Sequence, residues 1–245
     1  NKAILHSLLA REYSDYMRHN RQQLSDRTAL DVDEAPADIR EWSTNLFVAK
    51  VDEHNLASLK DSVRLLEVSS EKYVPFVKLE DGSRFYGHDM YHLLAARAVD
   101  TYQLLDGFQV DTLQRARINS VYTNMINAYR HRVGAEDAVV LATLDYWKWK
   151  STGGSISREP YTTYRERKER LDKEHLEVLD NLIREYGGRE ICAEVYIDKA
   201  GWLRGLGASY MDEVLQVCDE GVKRYPAYKR INELRNIRES VLQPY

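Results

Sequence analysis

The run G-H-D-M-Y-H at residues 87–92 places two imidazoles, His88 and His92, four residues apart, with a carboxylate, Asp89, after the first. On a helix this spacing puts both histidines on one flank, the geometry zinc hydrolases use in H-E-x-x-H with the acid as general base. Here the acid is one methylene shorter. A catalytic zinc also needs a third protein ligand and an open coordination position. His131, His175 and the scattered glutamates downstream show no third-ligand spacing. A zinc-dependent hydrolase built on His88, Asp89 and His92 is one reading. The other is a helix start with Asp89 beside the first free amides, where a carboxylate serves as cap and dipole partner. The second is the expectation, and with it no metal and no cofactor.

Two further segments invite chemistry. C-A-E-V at 192–195 approaches the C-x-E-Q of thioester proteins, but Val195 stands where the acyl-donating Gln must be. Cys192 is then expected to act as a small buried hydrophobe. Cys192 and Cys218 fall on successive helices, which leaves a disulfide open because separation and compartment decide it. The run K-R-Y-P-A-Y-K-R-I-N-E-L-R-N-I-R (223–238) interleaves cations with Tyr225 and Tyr228 and could touch an anionic surface or RNA. The expectation is a solvated or docking face, without nucleic acid. Trp147, in Y-W-K-W-K at 146–150, lies off the apolar stripe that Trp149 continues. Trp147, Tyr225 and Tyr228 are therefore the candidates for protein contact, and a helical glycan- or peptide-binding module is a further alternative.

The chain has 245 residues, 43% hydrophobic and 30% charged, with a net charge of −4, so its overall charge makes no case for a polyanionic partner. Twelve glycines and five prolines favour helix throughout, and 17 tyrosines against four phenylalanines suit half-buried helix faces. No stretch is apolar enough to span a membrane. There is no G-x-S-x-G, no phosphate-cradling glycine loop and no dinucleotide fingerprint.

The elements that position these residues read as one helix after another. Residues 2–19 gather Leu5, Leu8, Leu9, Tyr13 and Tyr16 near one face. Asp38 can cap a helix carrying Ile39, Trp42, Leu46 and Ala49. Tyr91, Leu94, Ala95, Ala98, Tyr102 and Leu105 follow helical spacing, as do Ala135 to Trp149 and Leu171 to Tyr186. A helix from Leu113 to Tyr129 lies among them, and three more are expected near 189–203, 210–225 and 228–242. The exception is Tyr73 to Tyr86, where Asp-Gly flanked by β-favouring residues predicts a small hairpin. The expectation is all-α: a single helical-array domain over 1–245, part of something longer, with a soft subdivision near 151–158.

L-L-A-R-E-Y (8–13) is echoed by I-C-A-E-V-Y (191–196), and Val214, Cys218, Gly221 and Pro226 follow the second copy. This is the pattern of a degenerate tetratricopeptide-like helix pair, with Gly221 allowing close helix approach. Such pairs must stack, which predicts an array of helical hairpins.

The runs R-T-A-L (27–30), D-I-R-E-W (38–42), S-R-F-Y-G-H-D-M-Y-H-L-L-A-A-R-A-V-D (83–100) and C-D-E-G-V-K-R-Y-P-A-Y-K-R-I-N-E-L-R-N-I (218–237) resemble the helical N-terminal region of the large α2-macroglobulin-like proteins of Bacteroidetes. The resemblance implies a protease inhibitor of the cell envelope (periplasmic or outer-surface) or a secreted one. In it, this helical part would be a non-enzymatic scaffold or protein-interaction region. Its partners would be the macroglobulin-type β-domains that follow in the same chain and, through the parent protein, proteases. Thioester and bait regions of that family lie far downstream, so no site residue transfers.

Overall fold

The computed structural model describes residues 1–31, 35–73, 89–152 and 160–243. The protein is all-α, with no strand among the described residues. The fold divides into two compact units, Asn1–His131 and Arg132–Tyr245. The division therefore falls before Gly134, a turn residue with φ +80, rather than near 151–158. Most of the 151–158 stretch lies outside the described residues.

In the first unit, α1 (Lys2–His19) packs against α3 (Thr44–Leu59) and α5 (Met90–Gln103), with the short α2 (Arg21–Ser25) between α1 and α3 in the chain. The face α1 buries is not the leucine face. Ser7, Ala10, Ser14 and Met17 are enclosed, whereas Leu5, Leu8 and Leu9 are 59%, 46% and 43% exposed. Small residues let two backbones approach, and the buried Ser14 hydroxyl is satisfied by donating to Ala10 O at 2.9 Å. Tyr13 and Tyr16 do face inward: Tyr13 stacks on Trp42 and His54, and Tyr16 on Phe47.

Asp38 caps as expected, but its helix stops after one 3-10 turn, Ile39–Glu41. Trp42 turns extended, its indole donating to Pro36 O at 2.7 Å, and α3 restarts behind Ser43. After α4 (Ser62–Glu67), Ser69 and Asp89 form an isolated antiparallel bridge. The predicted hairpin lies outside the described residues, except that Tyr73 ends a 3-10 turn beginning at Ser70. In α5 the predicted stripe is the buried one: Tyr91, Leu94, Ala95, Ala98 and Tyr102 are all enclosed, as is Leu105 just beyond. α6 (Asp111–Arg130) then packs on α5.

In the second unit, α7 (Glu136–Thr152), α8 (Tyr161–Tyr186), α10 (Met211–Arg224) and α11 (Asn232–Leu242) all pack against α9 (Cys192–Leu206). Cys192, Ala193, Tyr196, Ala200, Leu203, Val214 and Cys218 form its core. A Cβ on Gly221 would sit 2.5 Å from Leu234 Cδ1 and 3.0 Å from Tyr196 Cβ, so a side chain is excluded where α9, α10 and α11 meet.

Candidate functional site

Asp89 is the N-cap of α5. Its Oδ1 accepts from the His92 backbone N–H at 2.8 Å, and its Oδ2 accepts from the Tyr129 hydroxyl at 2.9 Å. Met90 N–H donates to Val68 O at 2.9 Å, so the start of α5 is also fixed from the α4 side. The carboxylate thus joins α5 to α6 with both oxygens engaged, which is cap chemistry rather than the placement of a general base. His92 is buried in α5, and His88 lies outside the described residues. Among the described residues no group of three or more His, Cys, Asp or Glu could hold a metal ion.

Of the three protein-contact candidates, Tyr225 and Tyr228 are buried and Trp147 is half-buried. Tyr225 and Tyr228 are 6% and 9% exposed, with hydroxyls donating to Gly187 O at 2.7 Å and Glu194 Oε1 at 2.8 Å. Trp147 is half-buried and stacks on His175, with Lys150 Nζ 4.1 Å from its ring centroid, so neighbours within the unit occupy it. Alternation of tyrosine and cation in 223–238 reads as a surface, yet three of its four arginines also pair with other helices of the unit or with the stretch's own neighbours. Arg230 pairs at 2.7 Å with buried Glu194, Arg238 pairs at 2.6 Å with Asp219, and Arg224 donates to the Tyr196 hydroxyl at 3.0 Å. Burial, then the Glu220 carboxylate, pushes that hydroxyl's pKa up to about 12. Cys192 and Cys218 are both free and buried, and burial raises both thiols, Cys218 to about 11.

His175 sits between two indoles, its ring 5.9 Å from Trp147 and 4.5 Å from Trp202. Its Nδ1 lies 3.2 Å from Ser151 Oγ. His175 Nε2 and Trp202 Nε1 are buried without hydrogen-bond partners. Burial pushes the imidazole down to about 4, against the nearby carboxylates of Asp198 and Asp172 and with the help of Lys168. Ser151 and His175 are 5% and 2% exposed, so this neutral pair ties α7 to α8 rather than facing a substrate.

Chemistry open to solvent lies in the first unit. A groove of about 520 Å³ runs over α5 between α3 and α6. At one end Arg117 grips Asp52 with two hydrogen bonds, 2.7 and 2.8 Å, and the Tyr102 hydroxyl joins the same carboxylate at 2.7 Å. Burial first, then the Asp52 bond, raises Tyr102, while that bond raises Arg117. Asn55 lies in the groove wall, 2% exposed, with its amide directed at the Tyr102 hydroxyl. Across from it α6 presents Ser120, Asn124 and Asn127. These residues are visible in the sequence only as the polar side of an amphipathic helix. Nothing in their spacing separates a groove wall from a solvated face until α3 is placed opposite.

Comparison with known proteins finds no family model, no curated protein and no solved structure that matches the chain.

Proposed function

We propose that this chain is a non-enzymatic scaffold and protein-contact region. The observation that carries the reading is the groove between α3 and α6: it is open, and it sets the exposed Ser120, Asn124, Asn127 and Lys60 beside apolar residues such as Leu56 and Val121, a mix suited to binding rather than to bond-breaking. The exposed row Leu5, Leu8 and Leu9 on α1 adds an apolar surface of the kind that marks contacts between proteins. A stacked array of helical hairpins would supply the concave faces on which such contacts form. The resemblance to macroglobulin-like envelope proteins supplies the setting: following β-domains as neighbours, proteases as targets of the parent.

The test is lysine-directed cross-linking of this chain expressed with the segment that follows it in its gene, read by mass spectrometry. Cross-links from Lys60 at the groove rim, or from Lys2 near the leucine row, to that segment are the expected result. Links confined to this chain would remove the reading.

A further inference from the structure

The groove wall on α6 has a period. Arg117, Ser120, Asn124, Asn127 and His131 recur at spacings of three and four, a single line along the helix turned toward the groove. At ~1.5 Å per residue this line is roughly 21 Å long, the reach of about six residues of extended chain at ~3.3 Å each. An asparagine amide donates through Nδ2 and accepts through Oδ1, the complement of a peptide C=O and N–H pair. Asn124 and Asn127 are exposed and make no side-chain hydrogen bond among the described residues. Asn55 in the opposite wall is enclosed, its amide directed at the Tyr102 hydroxyl, so the exposed amides of α6 are the ones open to the groove.

The electrostatics select further. No carboxylate is among the described residues lining the groove, while Lys60, Arg117 and His131 are. The Arg117 charge is offset by Asp52, and Lys60 is left exposed at the rim. A segment rich in carboxylates is attracted here and a basic one repelled.

We infer that the groove between α3 and α6 binds an extended, acidic peptide segment, with Asn124 and Asn127 reading its backbone and Lys60 its side-chain carboxylates. This rests on the protein-contact reading and names the chemistry of the partner at that site.

The probe is a fluorescein-labelled octapeptide, (Glu-Ala)4, titrated with the whole chain by fluorescence anisotropy. Saturable binding is expected, about tenfold weaker in an Asn124→Ala/Asn127→Ala double variant. Both positions are exposed, and circular dichroism checks that the variant keeps its fold. Lys60→Glu is expected to weaken binding and flatten its salt dependence. A version of the peptide N-methylated at alternate residues, which removes backbone donors and keeps the carboxylates, is expected to bind poorly. Equal affinity for the double variant, for the N-methylated peptide or for (Lys-Ala)4 overturns the inference. So does binding of cellohexaose in place of the peptide. Cross-links from Lys60 to the following segment, without binding of (Glu-Ala)4, overturn the peptide chemistry and leave the protein-contact reading standing.

Discussion

The two copies of one short pattern end in different surroundings. In the second unit I-C-A-E-V-Y lies at the start of α9, which packs against α7, α8, α10 and α11, and Cys192, Ala193, Val195 and Tyr196 are all enclosed. In the first unit L-L-A-R-E-Y lies in α1, which packs against α3 and α5. Ala10 is as buried as Ala193, but Leu8 and Leu9 are open to solvent. The small residue does the same work twice, setting how closely two backbones meet. The apolar residues beside it are core or surface according to how many helices surround the element, which the pattern does not encode.

Substitutions at matched positions of the echo test this most sharply. Glutamate in place of Cys192 would bury a carboxylate in a packed core, with Arg224 nearby already donating to Tyr196, and a loss of about 4 kcal/mol is expected. Leu9→Glu, at the matching position, should change stability by no more than about 0.5 kcal/mol. Urea denaturation followed by amide hydrogen exchange, resolved for each unit, measures both. Similar losses at the two sites would show that α1 is covered in solution and break the contrast.

The close approach of α9, α10 and α11 comes next in size. Leucine at Gly221 must displace Leu234 and the Cβ of Tyr196, and about 3 kcal/mol is expected to be lost. Gly205, in the same unit with nothing within 4 Å of an added Cβ, is the control, and Gly205→Ala should gain about 0.5 kcal/mol.

A smaller effect separates the units by pH. His175 falls from its ordinary 6.5 to about 4 in the folded chain, first through burial. Between those values the unfolded chain binds the extra proton, so stability falls as pH drops through that window, by up to about 3 kcal/mol in the second unit. His175→Phe should flatten this acid limb while leaving stability at neutral pH nearly unchanged, because it also removes an unpartnered Nε2. Thermal unfolding of both proteins from pH 7 to pH 4 checks it. An unchanged limb would place the acid sensitivity elsewhere.

Much of the helical order was legible because burial and period coincide. The stripe Tyr91, Leu94, Ala95, Ala98 and Tyr102 is the inner face of α5, and Leu171, His175, Leu179 and Leu182 are the buried residues of α8. Asp89 as a cap was legible for a local reason, since its oxygen reaches an amide three residues ahead. Its second bond, from Tyr129 forty residues away, was not. The leucine face of α1 misled because hydrophobicity and closeness of approach compete, and closeness won. Asp38 was legible as a cap, but not the extended Trp42 that ends its helix, which depends on an indole finding the Pro36 carbonyl. The groove was least legible of all: α6 supplies one wall, and the other belongs to α3, some sixty residues earlier.

One small feature has reach beyond its size. Ser69 and Asp89 face each other in a single bridge, and Met90 N–H closes on Val68 O beside it. Positions 69 and 89, twenty residues apart in the chain, therefore meet at one point. Closing a loop costs little more when the loop grows, because the penalty rises only with the logarithm of its length. That bridge works as a socket. It fixes the end of α4 against the start of α5 through backbone groups, so the two helices keep their register whatever side chains stand at those positions.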